Sequence, residues 1–291
     1  MNVNVKIRKQ FNKINFIMKQ RKTVYVSKPV DAQGIVYYTP TENQVWSTLI
    51  KRQLPIVASH ACPEFLRGIE LLELPHDHIP QCHDMSAKLR DLTGWTLEPV
   101  PALIPADHFF TLLANRKFPC ATFIRIPEEL DYLQEPDIFH EVFGHCPLLT
   151  NQAYADFTQL YGKLSLAANE ADRDMLARLY WFTVEFGLIQ TPEGARAYGG
   201  GILSSKGETI YCVESTTPVR KPFNVLDALR TPYRIDIMQP IYYVLNTFDD
   251  LYRVLNLDLI ALIREARKLG EFPPLFPAAA SEKMLGKDVP C

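Results

Sequence analysis

Nothing in this sequence approaches the run of roughly 20 apolar residues that a membrane-spanning helix needs, so no segment is a candidate span. Internal repeats and low-complexity tracts are missing too, which sets aside solenoids and fibrous arrays. Six cysteines (Cys62, Cys82, Cys120, Cys146, Cys212 and Cys291) are scattered without a CxxC pair. That spacing argues against a zinc ribbon or a disulfide framework and for free thiols in a reducing cytoplasm. An excess of one charge is also lacking: 31 basic against 33 acidic residues leave a formal net charge of -2. No electrostatic case follows for nucleic acid or an anionic membrane as a partner. The exception is local. Residues 1 to 22 carry seven lysines and arginines and no acid. They have no apolar core of the kind a secretory signal requires, and read as a partly disordered basic tail rather than a targeting peptide.

What remains is a chain of 291 residues, 47% hydrophobic and long enough to bury a sizeable core. Residues 1–37 read as a basic and extended lead-in, 38–270 as one folded unit, and 271–291 as a Pro- and Ala-rich tail. Apolar spacing predicts helices at about 42–54, 62–73, 84–93, 107–114, 136–145, 151–168, 171–189, 240–256 and 258–269. Thr39 or Thr41 is placed to cap the first. Short β-like stretches fall at 96–100, 120–126, 201–204 and 209–213. The balance predicts a mostly helical α+β domain.

Chemistry concentrates in Glu135-Pro136-Asp137-Ile138-Phe139-His140-Glu141-Val142-Phe143-Gly144-His145-Cys146-Pro147. Pro136 suits a first helical turn, and Gly144 and Pro147 disfavour continuation. His140 and His145 are five apart, about 140° around an ideal helix. They share a ligand only if the helix is distorted or ends near Gly144. A second element is Glu185, a carboxylate in the apolar run Leu179 to Gly187. Burying it is costly unless it binds a metal or pairs, for instance with Arg173 or Arg178. Two histidines and one carboxylate form a ligand set that leaves positions open on a non-haem iron(II). The same set serves a zinc hydrolase with Glu141 as base, and residue types alone leave both open.

Three segments in order carry a resemblance: Glu135 to Pro147, Tyr180 to Gly187, and Tyr198-Gly199-Gly200-Gly201-Ile202-Leu203-Ser204-Ser205-Lys206-Gly207-Glu208. The sequence resembles the pterin-dependent aromatic amino acid hydroxylases, with weaker likeness from Tyr38 to about residue 255. The resemblance implies the family's mostly helical catalytic domain with short strands, iron(II), a tetrahydropterin and dioxygen. It implies His140, His145 and Glu185 as iron ligands. Phe109, with Ala102, Leu103 and Ile104, falls at the pterin, and Glu141 near it. Arg125 falls where the family grips the substrate carboxylate, with Asp137 to orient it. Trp181 corresponds to a wall of the amino acid site, Gly201 and Ser204 to further substrate-binding residues, and Tyr180 to a residue near the iron. Ser204 would also steady an iron ligand. The glycines 199 to 201 lack the GxGxxG spacing and do not read as a phosphate loop.

Tyrosine-hydroxylating relatives carry an acid where Ile235 falls, so the resemblance favours phenylalanine over tyrosine or tryptophan. A register slip of one residue would put Asp236 there instead. A folded regulatory domain and a heptad-bearing tail are not evident, so constitutive activity and a monomer or weak dimer are expected.

Overall fold

Thr39 starts the first helix by accepting from Glu42 N while the Glu42 side chain returns to Thr39 N, a complete capping box. In this computed structural model, residues 25–101, 104–131, 133 and 135–276 are described. The basic segment 1–22, Ala102, Leu103 and the tail beyond 276 lie outside them. The first helix runs Pro40–His60 and passes through Pro55. The sequence-based expectation ended it at 54. Burial of Val57 and His60 holds the extra turn despite the backbone bond that proline removes.

Helices Pro63–Leu72, Cys82–Thr93, Ala106–Ala114, Gln152–Ala167 and Leu259–Leu269 match the expected ones within a few residues. Strand β1 (Thr96–Val100) lies parallel to β2 (Lys117–Ala121), so the second strand ends five residues earlier than expected. A second sheet has the order β4-β3-β6-β5. In it β3 (Leu188–Thr191) and β4 (Gly194–Ala197) form an antiparallel hairpin, while β5 (Val219–Pro222) and β6 (Ile241–Leu245) add in parallel.

Four expectations fail here. The stretch 240–256 divides into β6 and a helix at Asp249–Leu255. Its Ile-Tyr-Tyr-Val-Leu run is paired on both sides, and such a strand has no alternation to betray it. The stretches 201–204 and 209–213 are not strands but parts of helices Gly200–Leu203 and Lys206–Glu214. Ser205 caps the second by accepting from Glu208 N, and burial of Thr209 and Cys212 overrides their β propensity. Residues 171–189 form a helix only over Glu170–Tyr180, followed by a π turn at Trp181–Glu185 and then β3.

The core closes around the segment that carries the histidines. Phe139 and Phe143 stack on each other at 4.8 Å, and Trp46 and Phe65 meet them edge-on. Each ring is fully buried, worth roughly 1.5–3 kcal/mol relative to exposure. One face of the segment is thereby fastened, and the other is left to present polar groups. All five cysteines within the described residues are free and buried, as their spacing suggested.

Candidate metal and amino acid site

Two π turns build the site. His140–His145 is one, and Trp181–Glu185 is the other, closed by Phe186 N donating to Trp181 O five residues back at 2.8 Å. The i to i+5 pattern widens the turn, so residues five apart come nearly over one another. This is the distortion that the spacing of His140 and His145 required. The chain does not stop at Gly144. It runs on into Cys146–Leu149, with Pro147 in the first turn where its missing N–H costs nothing.

The two His Nε2 atoms lie 3.1 Å apart. Glu185 sits 3.3 Å from His145 Nε2 and 3.8 Å from His140 Nε2. Donors at about 2.1 Å from one ion and at right angles to it lie about 3.0 Å apart, so three such atoms fit a shared cation. Arg173 and Arg178 are occupied elsewhere: the first reaches Asp107 and Ser165 O, the second Leu229 O and Glu271. Glu185 faces the histidines.

Proton bookkeeping agrees with a metal. Ser204 Oγ donates to Gly200 O at 2.8 Å and therefore accepts from His140 Nδ1 at 2.9 Å. That puts the proton of His140 on Nδ1 and turns its Nε2 lone pair inward. Burial drives His140 down to about 4, so the ring is neutral near pH 7, as a ligand must be. Burial alone would raise Glu185, but His145, His140 and the Gly201 N–H hold it below the usual carboxylate range. Glu141 moves oppositely: burial, with Glu185 and Asp137 nearby, pushes it well up. One ligand atom each from His140, Glu141 and His145 lies within a 4.8 Å group. Of the two carboxylates, Glu185 is the one held ionised against both rings.

The glycine triplet explains itself at this point. A Cβ on Gly200 would lie 2.3 Å from His145 Cε1, and one on Gly201 2.9 Å from Glu185 Oε2. The segment is glycine-rich so that backbone can pass against His145 and Glu185, a role not legible in the spacing of the glycines. His145 Nδ1 is buried with no hydrogen-bond partner among the described residues. Its ring is held by packing on Gly200 and by Phe118 at 5.0 Å.

Arg125 and Asp137 meet as expected. Arg125 Nε and Nη2 donate to the two Asp137 oxygens at 2.8 and 2.9 Å, both residues being buried. Asp137 also accepts from the backbone N–H of Arg125 and of His140. One carboxylate thus ties the guanidinium to the first histidine. Arg125 Nη1 takes no part in that ion pair. Phe109 packs edge-on to Tyr180 at 5.7 Å, and half-buried Ile104 precedes its helix. Trp181 lies against Phe186 at 4.3 Å and stacks on Tyr233 at 4.5 Å. Tyr233 and Gln239, whose side-chain oxygen accepts from the Trp181 indole at 3.1 Å, had no signal of their own in the sequence.

Residues 4–260 match the family model described as biopterin-dependent aromatic amino acid hydroxylase. The chain belongs to that family. It is similar to the phenylalanine-4-hydroxylase of Pseudomonas aeruginosa, 56% identical over 257 residues, spanning 88% of this chain and 98% of the relative. The solved structure of phenylalanine hydroxylase from Legionella pneumophila is 52% identical with a TM-score of 0.85, covering 87% of this chain and 100% of that one. A structure of Chromobacterium violaceum phenylalanine hydroxylase with bound oxidized Fe(III) is 44% identical, with a TM-score of 0.80 over 84% of this chain and 89% of that one. No helix among the described residues of this hydroxylase is long and apolar enough to cross a membrane.

Proposed function

We propose that the protein is a phenylalanine 4-monooxygenase, converting L-phenylalanine to L-tyrosine with dioxygen and a tetrahydropterin at iron(II). The observation that carries this reading is the convergence of His140, His145 and Glu185 on one point, achieved only through the two π turns. These three residues hold the iron. Bound iron and tetrahydropterin together supply the activation of dioxygen that hydroxylation of an aromatic ring demands.

The chain's own residues bind, orient and exclude water. Arg125 takes the substrate carboxylate through the guanidinium edge that Asp137 leaves free, and Asp137 keeps that edge in register with His140. Trp181 forms the wall for the ring, with Gly201 and Ser204 across from it. Phe109, with the 102–104 segment and Glu141, takes the pterin. Tyr180, packed edge-on to Phe109, would stand near the iron. Ser204 keeps the His140 lone pair aimed inward.

Phenylalanine is favoured because Ile235, 45% exposed at the loop before Gln239, offers no charge to a phenol. Asp236, one residue on, is gripped by Arg234 at 2.7 and 2.9 Å. The protein acts as a monomer or weak dimer in the cytoplasm; a sedimentation series finding only tetramer defeats the first of these.

The deciding test is anaerobic loading with Fe(II), then assay of tyrosine from phenylalanine with tetrahydropterin and oxygen. Product that depends on iron, pterin and Glu185 is the expected result. Zinc-loaded protein that makes no tyrosine but hydrolyses an ester or amide substrate would instead point to a hydrolase, and turnover confined to tryptophan or tyrosine would move the specificity.

A further inference from the structure

Gln239 is 1% exposed, and its backbone N–H and side chain all bond to named groups. Its Oε1 accepts from Trp181 Nε1 at 3.1 Å. Its Nε2 donates to Arg234 O and Ile237 O, both at 2.9 Å. Its backbone N–H donates to Glu208 Oε1 at 3.0 Å. Residues 231–240 carry no regular structure, so these bonds fix their path.

Glu208 itself is unusual. It stands three residues after the cap Ser205, where a glutamate ordinarily returns to the cap N–H. Ser205 Oγ does accept from Glu208 N, but the Glu208 carboxylate turns inward to Gln239 N and the Tyr242 hydroxyl. It is 5% exposed. Burying a carboxylate this way is costly unless its acceptors are satisfied, and here they anchor the end of the 231–239 loop.

Trp181 lies in the same π turn as Glu185, and Tyr233 of the loop stacks on its indole. We infer that Gln239 is a positioning residue for substrate selection: its amide clamps the Trp181 indole to the 231–239 loop, over the Glu208 anchor, and so sets the width of the ring pocket. This rests on the reading of Trp181 as the wall of the amino acid site. The other hydrogen bonds of the amide go to carbonyls of the loop that carries Ile235, so one side chain fixes wall and rim together. A residue that merely filled space would not link them.

The test compares Gln239→Leu, which removes every side-chain bond, with Gln239→Glu, which keeps an acceptor for the indole but loses both donors to the loop. Trp181→Phe removes the indole N–H from the other side. In iron-loaded Gln239→Leu, KM for phenylalanine rises about tenfold while kcat changes less than about threefold. The ratio of tryptophan to phenylalanine turnover rises as the loop relaxes. Cobalt(II) binding, read by visible absorbance without turnover, stays as in the wild type. Because Gln239 acts through Trp181, the Trp181→Phe/Gln239→Leu double variant is no worse in KM than the worse single variant.

Independent, multiplicative KM effects in that cycle overturn the inference, as does unchanged KM and selectivity in a folded Gln239→Leu. If Gln239→Leu does not fold, Gln239→Met, which keeps the side chain's length and loses its hydrogen bonds, carries the same comparison. If neither folds, Trp181→Phe must itself raise KM and loosen selectivity, and a wild-type profile there overturns the role. Wild-type protein that makes no tyrosine defeats the proposed function instead, so the two failures are distinct.

Discussion

The two π turns deliver ligands by different means. His140–His145 is fastened from behind, by the Phe139–Phe143 stack in the core, and from its first residue, by Asp137. Trp181–Glu185 is fastened from the side, by the glycine segment against Glu185 and by Gln239 and Tyr233 against Trp181. The backbone of the first turn is thus held largely by burial, which is non-directional, while directed hydrogen bonds to Asp137 and Ser204 orient His140. The second is buried at Phe182, Thr183 and Val184, and its two ends, Trp181 and Glu185, are set by a directed hydrogen bond and by close backbone approach. Glu185 and Trp181 share that second turn but are held separately, Glu185 by the glycine segment and Trp181 by Gln239, so each can be changed at its own hold.

Experiments that break the comparison come first. Glu185→Ala removes the ionised donor, and expected iron content and tyrosine formation fall to background, while circular dichroism stays native. Next, Gly200→Val adds a side chain whose Cβ alone would lie 2.3 Å from the His145 ring. Metal binding is expected to collapse, although Gly200 is neither a ligand nor a contact of substrate; cobalt titration reads this directly. Retained affinity would mean that the first turn can shift and is less firmly held than its packing indicates.

Asp137→Asn leaves Arg125 buried without its counter-charge, a change that costs about 3–5 kcal/mol when one partner of a buried pair is lost. Denaturant melts should show that loss, and KM for phenylalanine should rise. Ser204→Ala should weaken metal affinity about 10- to 100-fold, the usual effect of removing a partner of a ligating histidine. Both would sharpen the contrast by showing how much of the first turn's precision is polar.

A further effect concerns acid. His140 has its folded value depressed to about 4 from 6.5. The unfolded chain therefore binds the extra proton first, and stability of the metal-free protein falls as pH drops from about 6.5 toward 4. A melting series over that window checks it, and His140→Gln should flatten the slope.

Much of this was legible beforehand. The helices that obey apolar spacing were found within a few residues, because burial of one face leaves its period in the sequence. The ligand residues stood out because two histidines and a carboxylate in apolar surroundings have few inexpensive explanations. The β3–β6 sheet is not legible: β6 is apolar on both faces, and only Asn246, Thr247 and Phe248 separate it from the next helix. The helix at Lys206–Glu214 was misread for the opposite reason, since its β-branched and aromatic residues favour strands locally.

By itself the sequence determined which residues could do the chemistry, through their types and through a five-residue spacing that no regular helix accommodates. Only the tertiary structure decided that a π turn resolves that spacing, that Glu185 and not Glu141 is the carboxylate held ionised, and that Gln239 reaches Trp181. The reason is physical. Residue type and local period are encoded at each position, whereas a donor's direction, a carboxylate's ionisation and the approach of two backbones depend on neighbours distant in the chain.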